Sequence, residues 1–173
     1  MATRIGKYKV TKRDSAISLI DGGKATGKIS LAGGHLKTVK LSGGGTTVLT
    51  AADSGATCVF DTAGASQFTL PAPELGMYFT FISAITATAD HVIKAATNDH
   101  GFLGGMIYTQ LTSTAADQCD SFIAATDGNN DFITLNGSTT GGVAGCVIHC
   151  HAILGTGAAK SWVVHGSLIG TGN

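Results

Sequence analysis

Residues 77–85 read Met77-Tyr78-Phe79-Thr80-Phe81-Ile82-Ser83-Ala84-Ile85, a run rich in aromatic and β-branched side chains. These residue types favour strands over helices, so the run predicts a β-strand. Shorter runs of the same kind recur on both sides, separated by turn signals such as Asn98-Asp99-His100-Gly101. The best helical candidate, residues 111–120, is weakened by its Thr and Ser content. The sequence therefore predicts an all-β protein.

The predicted strands are short and regularly spaced from residue 26 onward. Clear examples are residues 28–31, 57–60, 91–94, 106–108 and 132–135. Residues 146–154 and 162–169 flank a glycine-containing turn and are predicted to form a closing hairpin. Roughly ten short strands with regular turns are typical of a sandwich or a jelly roll. We therefore predict a jelly-roll-like β-sandwich body for residues 41–173.

The composition is unusually poor in charge. Of the 173 residues, 43% are hydrophobic and 13% are charged. An average soluble protein has roughly 25% charged residues. A surface with so little charge would be poorly solvated in a monomer, so we expect other subunits to cover much of it.

The charge that is present is divided along the chain. Residues 1–40 hold nine of the eleven Lys and Arg residues and two acids, Asp14 and Asp21, which gives a charge of +7. Residues 41–173 hold Lys94 and Lys160 against nine acids, which gives −7. This asymmetry predicts a basic extended N-terminal arm, residues 1–40, attached to an acidic body.

The basic arm has three candidate partners: nucleic acid, an acidic protein surface, or the body of a neighbouring copy. A nucleic-acid arm usually has denser basic clusters and stacking aromatics, whereas the arm has a single aromatic residue. Its basic residues also alternate with apolar ones, which suits strands laid on another protein. We therefore predict protein docking rather than nucleic-acid binding. The predicted contact residues are Arg4, Lys7, Tyr8, Lys9, Lys12 and Arg13.

Three histidines near the end of the chain are candidate metal ligands. His149 and His151 share one face of a predicted strand, because side chains alternate with a period of two. In one hairpin register His151 faces His165, and three imidazoles could then hold Zn²⁺ at about 2.0–2.1 Å. The alternative is that these rings pack in a subunit interface. No nearby carboxylate would orient them as ligands, so packing is favoured and no metal is predicted.

Other motifs do not indicate an active site. Residues 22–28 match GxxxxGK, but Ile29 replaces the hydroxyl that a phosphate loop needs. Asp127, Asn129 and Asp131 could bind Ca²⁺, yet no bidentate Glu follows and a turn is favoured. The single Glu, Glu74, lies in a proline turn, and no GxSxG motif occurs. We predict neither enzyme activity nor a cofactor.

The sequence of residues 1–7 and the lengths of the apolar runs indicate where the protein is made and assembled. Residues 1–7 lack the apolar core of a secretion signal, and no apolar stretch approaches about 20 residues. We therefore expect assembly in a cytoplasm, no membrane partner, and four reduced cysteines.

Residues 45–172 resemble small virion proteins of tailed bacteriophages, especially those of cyanobacterial and marine hosts. The segments that carry the resemblance are Thr69-Leu70-Pro71-Ala72-Pro73-Glu74-Leu75-Gly76-Met77-Tyr78-Phe79-Thr80-Phe81, Leu135-Asn136-Gly137-Ser138-Thr139-Thr140-Gly141-Gly142, and Trp162-Val163-Val164-His165-Gly166-Ser167-Leu168-Ile169-Gly170-Thr171-Gly172. The resemblance implies a structural protein of the capsid decoration (cement) type, commonly a homotrimer. Its partner would be the major capsid protein on the virion surface, after assembly in the host cytoplasm.

The same resemblance allows a second function, because related β modules occur in head and tail fibres. A receptor- or glycan-binding module would expose aromatic rings for stacking on sugars, with Trp162, Tyr78 and Tyr108 as candidates. The basic arm favours decoration, since an arm that reaches over neighbours suits the clamping of a shell.

Overall fold

The computed structural model describes residues 20–21, 24–25, 38–110, 118–123, 130–154 and 160–171. The chain divides into two units, Met1–Lys37 and Thr38–Asn173. In the first, strands β1 (Ile20–Asp21) and β2 (Lys24–Ala25) pair antiparallel. The strand expected at residues 28–31 and residues 111–117 of the helical candidate lie outside the described residues. Residues 118–120 of that candidate belong to a strand.

The second unit contains two sheets. The large sheet is built from β3 (Val39–Leu41), β5 (Thr57–Phe60), β7 (Tyr78–Ser83), β9 (Phe102–Gln110), β10 (Gln118–Ile123), β12 (Val147–Leu154) and β13 (Lys160–Gly170). The small sheet is built from β4 (Thr46–Val48), β6 (Ser66–Thr69), β8 (His91–Lys94) and β11 (Phe132–Leu135). Their spatial orders are β10-β9-β13-β12-β7-β5-β3 and β11-β8-β6-β4. Short 3-10 turns occur at Ala51–Asp53 and Asn98–His100.

The chain from β3 to β8 alternates between the two sheets. Each new strand pairs in parallel with the strand two places earlier, so that β3, β5 and β7 are neighbours in one sheet and β4, β6 and β8 in the other. This is the winding of a short solenoid, in which the return path of every crossover is a strand of the opposite sheet. Antiparallel strands then extend both sheets, with β11 on β8 and the β12–β13 hairpin on β7.

The prediction of an all-β protein is confirmed, and so is the closing hairpin. The jelly-roll connectivity was wrong for the described strands. A jelly roll is an antiparallel fold of two Greek keys, whereas five strand pairs of this unit run parallel. Val39 and Lys40 were predicted to belong to the arm, but they lie in β3 of the second unit.

Aromatic side chains fill the space between the two sheets. Phe60 of the large sheet meets Phe68 of the small sheet edge-on, with ring centroids 5.1 Å apart. Phe81 lies 5.6 Å from Phe68, and Trp162 lies 5.7 Å from Phe79. All five side chains are essentially inaccessible to solvent. They lie on one face of their strands because alternate residues of a strand point to the same side.

The turn after β11 depends on one glycine. The side-chain carbonyl oxygen of Asn136 accepts hydrogen bonds from the backbone N–H groups of Ser138 and Thr140, at 2.9 and 3.1 Å. Gly137, between Asn136 and Ser138, has φ = +78°, and a Cβ atom there would overlap the carbonyl oxygen of Ala87. A side chain at this position would be excluded both by backbone strain and by lack of space.

Candidate interaction face of the large sheet

One face of the large sheet covers the core, and the opposite side, here called the outer face, points away from it. Strand register aligns the outer-face residues in three rows across the sheet. The first row is Val39, Thr57, Thr80, His149 and His165; the second is Leu41, Val59, Ile82, Val147, Ser167 and Ile107; the third is Tyr78, His151, Val163 and Leu103.

The outer face is exposed, apolar and free of formal charge. Val39, Leu41 and Ile107 are 59%, 58% and 57% exposed, and Leu103 and Tyr78 are about 40% exposed. No Lys, Arg, Asp or Glu occurs in its three rows. Monomeric proteins rarely expose large contiguous apolar patches, and such patches mark interaction surfaces. The outer face is therefore the candidate functional site.

Four aromatic rings stack along the centre of the outer face. His149 and His165 are directly paired across the hairpin, with ring centroids 5.0 Å apart. His151 stacks on the other side of His165 at 5.4 Å, and Tyr78 follows His151 at 6.1 Å. Nδ1 of His149 lies 3.2 Å from the hydroxyl of Thr80, which holds that ring in place.

The hairpin register differs from the one considered from the sequence. His165 pairs with His149, while His151 is opposite Val163 and meets His165 diagonally. The three rings are stacked face to face, whereas a tetrahedral zinc site needs nitrogens that converge on one point. No group of three His, Cys, Asp or Glu residues in the described part of the chain has metal-binding geometry. The arrangement suits ring packing.

Lys40 makes an ion pair within the body. Its Nζ lies 2.7 Å from Oδ1 of Asp53, which joins β3 to the 3-10 turn. The hydrogen bond from Lys40, with further hydrogen bonds from Thr50, lowers the pKa of Asp53 despite its partial burial. The predicted arm contacts lie outside the described residues: Arg4, Lys7, Tyr8, Lys9, Lys12 and Arg13.

We expect Asp53→Asn to lower the free energy of unfolding by about 1 kcal/mol at pH 7. Because the folded-state pKa of Asp53 is lowered, its stabilisation is complete above the unfolded value of about 3.9 and is lost as the pH falls through the folded value. Urea unfolding at pH 7 and at about pH 3 measures the free energy of unfolding of both proteins. The difference between Asp53→Asn and wild type should be smaller at the lower pH. Asp99→Asn, at an exposed position, is the matched control; an equal loss for both variants would contradict the role of the ion pair.

The residues predicted as candidates for sugar stacking and for calcium binding differ in their exposure to solvent. Trp162 is fully buried and Tyr108 is 6% exposed, so of the three proposed sugar-stacking residues only Tyr78 reaches solvent substantially. Asp131 is 8% exposed, and its backbone carbonyl accepts the N–H of Ala95. Its partners in the possible calcium loop, residues 127 and 129, lie outside the described residues.

Three cysteines, Cys58, Cys146 and Cys150, are free and buried. Burial raises the pKa of Cys58 to about 12 and raises that of Cys150 as well. Thiols with such values stay protonated at neutral pH and are poor nucleophiles. Sγ of Cys146 accepts the backbone N–H of Ile169 at 3.0 Å. These thiols therefore have packing and hydrogen-bonding roles.

An apolar cavity of about 320 Å³ lies on the inner side of β9, β10 and β13, next to β11. Its lining includes Phe102, Met106, Phe122, Phe132, Ile133 and Leu168, with no titratable side chain.

Sequence reasoning identified the three histidines but not the surface around them. Val39, Leu41 and Ile107 went unnoticed as a group, because β3, which holds the first two, is distant in sequence from β9, which holds Ile107. The available signal was alternation in β3 and β12, where apolar or histidine residues recur every second position.

No protein-family model, curated protein or solved structure matches this chain. Among the described residues there is no helix with the length and apolar character needed to cross a membrane.

Proposed function

We propose that this chain is a non-enzymatic virion structural protein of the capsid decoration type. It self-associates, as a homotrimer, on the capsid surface and stabilises neighbouring major capsid proteins. The observation that carries the proposal is the exposed, charge-free outer face, which needs a protein partner to remove its apolar residues from water. The resemblance of residues 45–172 to tailed-phage virion proteins supplies the capsid as the setting.

The body and the basic arm have separate roles in the proposed assembly. The body provides contacts between copies, and the basic arm attaches the assembly to acidic surfaces of the shell through Arg4, Lys7, Tyr8, Lys9, Lys12 and Arg13. Several arms on one assembly act together, so weak individual contacts produce strong attachment through a high effective concentration. Assembly takes place in the host cytoplasm and needs neither a cofactor nor nucleic acid. Burial raises the pKa of both Cys58 and Cys150, so neither thiol would act as a nucleophile at neutral pH.

The rival function is a receptor- or glycan-binding module of a head or tail fibre. Tyr78 favours it, because this ring is 40% exposed and stacks beside His151, as a sugar-binding platform requires. The burial of Trp162 and Tyr108 removes the other two candidate rings. A single exposed tyrosine is weaker support than a whole uncharged sheet face, so decoration remains the proposal.

Copy number in purified particles separates the two functions. A decoration protein should be present at a level comparable with the major capsid protein, since it occupies repeated positions on the shell. Quantitative mass spectrometry of virions that encode this chain measures the ratio directly. A handful of copies per particle would overturn decoration and support the fibre, and absence from the particle would overturn both.

A further inference from the structure

A homotrimer sets a geometric condition on the outer face. When two identical faces pair directly, the contact has two-fold symmetry. In a three-fold assembly each outer face instead points towards the axis and contacts both neighbouring copies. The strand at the middle of the sheet is then nearest the axis. That strand is β12, the fourth of the seven strands in their spatial order.

The size of the outer face suits contacts of this kind. Its seven strands contain roughly 47 residues. With a rise of about 3.3 Å per residue and a strand spacing of about 4.8 Å, the sheet covers about 750 Å². A specific, stable interface buries about 800 Å² on each partner. One outer face therefore has enough area to hold neighbouring copies around an axis.

His151 lies on β12 and points out from the outer face, where it is exposed to solvent. Tyr78 from β7 and His165 from β13 stack on the two sides of its ring, with centroids 6.1 and 5.4 Å away and planes 19° and 12° from parallel. A ring held between neighbours in the same sheet stands upright, so its edge points away from the sheet. Neither ring nitrogen of His151 has a hydrogen-bond partner among the described residues.

The width of the sheet brings such rings close to a three-fold axis. Seven strands at a spacing of about 4.8 Å make a sheet about 29 Å wide. Three sheets of this width, arranged as a triangular prism, leave the axis about 8 Å from the middle of each sheet. An upright histidine side chain and a metal–nitrogen bond of about 2.0–2.1 Å together span most of that distance. The His151 rings of three copies therefore converge at the axis.

Convergence between copies supplies what one copy lacks. Within one copy the stacked rings carry their nitrogens side by side, which does not suit a metal ion. Three His151 rings related by a three-fold axis approach one point from three directions. Three imidazole nitrogens and a water molecule on the axis make a tetrahedral ligand set, which suits Zn²⁺. Stacking on Tyr78 and His165 orients the ring, a role that a hydrogen-bonded carboxylate often has at metal sites.

We propose that His151 from three copies forms a metal site on the three-fold axis of the trimer, and that this site binds a divalent transition-metal ion such as Zn²⁺. The inference rests on the self-association in the proposed function, and it adds the face that points to the axis and the ligand bound there. The bodies associate through their apolar outer faces without the ion, which then binds the assembled trimer.

Metal content and molar mass, measured on the same sample, test the inference. The untagged full chain is incubated with ZnCl2 at pH 7.5, and size-exclusion chromatography with light scattering separates the trimer from unbound ions. Elemental analysis should then find about one zinc ion for every three chains. His151→Gln should remain a trimer and lose the zinc. His100→Gln, in the 3-10 turn Asn98–His100 and outside the outer face, is the matched control and should keep it.

Ile107→Asp distinguishes a site between copies from a site within one copy. This variant keeps His151 but places a carboxylate on the outer face, where Ile107 is 57% exposed, so assembly should fail while the chain stays folded. The resulting monomer should bind no zinc. Co²⁺ used in place of Zn²⁺ should give the visible absorption of a tetrahedral site with the wild-type trimer and not with the monomer. Circular dichroism verifies that each variant is folded.

The outcomes separate the two proposals. A wild-type trimer that binds no zinc overturns the inference and leaves the proposed self-association standing, and so does a His151→Gln trimer that keeps its zinc. Zinc bound by the monomeric Ile107→Asp variant also overturns the inference, because the site then needs only one copy. A wild-type protein that is monomeric or dimeric, with or without zinc, overturns both proposals.

Discussion

Ile107→Asp is expected to convert the self-associated protein into a folded monomer. Ile107 is 57% exposed in the second row of the outer face, so the carboxylate is well hydrated in a single copy. Contact between copies would bury that charge against apolar residues, with no described basic group opposite it. Such burial should weaken association at least about 100-fold, comparable to the loss of an interface hot spot. Sedimentation equilibrium at pH 8.0 measures the change.

Leu75→Asp provides the matched control for this experiment. Leu75 is 72% exposed in the proline turn that leads into β7, outside the three rows of the outer face. The substitution introduces the same charge on an exposed apolar residue and should leave the oligomer intact. Equal effects of the two substitutions would show that net charge, rather than the outer face, controls association. Circular dichroism should show the same β-sheet content for both variants, because neither residue packs in the core.

The second large effect is expected at His91, a buried polar residue of β8. Its ring is fully buried and stacks on Phe60 with centroids 4.6 Å apart and planes 6° from parallel. Nε2 donates a hydrogen bond to the carbonyl oxygen of Thr62 at 2.8 Å, because a carbonyl oxygen can only accept. Nδ1 has no hydrogen-bond partner among the described residues. The ring therefore packs as an aromatic residue and makes one directional bond.

His91→Ala should lower the free energy of unfolding by about 3 kcal/mol, because it opens a cavity beside Phe60 and leaves the Thr62 carbonyl without its donor. His91→Phe keeps the ring volume and the stacking, and its cost should be about 1 kcal/mol for the lost hydrogen bond. Chemical denaturation of both variants measures the difference. If His91→Phe lowers the free energy of unfolding as much as His91→Ala does, then the hydrogen bond to Thr62, rather than the packing of the ring, makes the main contribution of His91 to stability.

Strand positions were the most predictable feature of this chain. Residues 57–60, 91–94 and 132–135 form strands with the predicted bounds. In each case a short β-branched or aromatic run is bounded by residues that favour turns, so local preference and tertiary structure agree. Residues 102–110 show the opposite case. Only 106–108 were predicted there, because Gly104 and Gly105 weaken the local preference that tertiary pairing with β13 restores.

The direction of the strands could not be predicted in the same way. A strand alternates its side chains between two faces whether its neighbour runs parallel or antiparallel. The burial patterns of β5 and β6 therefore look the same as those of a sandwich, although both strands have parallel neighbours. The jelly-roll prediction failed for this reason.

The histidine cluster shows how far the candidate site could be predicted. Alternation placed His149 and His151 on one face, and the hairpin brought His165 to them, as the sequence indicated. The register was undetermined, because a shift by two residues keeps every side chain on the same face while it changes its opposite neighbour. The structure pairs His149 with His165 and thereby stacks the rings.

The sequence by itself determined that this chain forms strands, where most of them lie, and that it has too little charge for an ordinary solvated surface. Those properties follow from side-chain type and from the alternation within each strand. The tertiary structure alone decided which strands become neighbours, and hence that Val39, His149 and Ile107, far apart along the chain, share one exposed face. Contacts between distant segments depend on how the whole chain packs, which no local pattern of residues encodes.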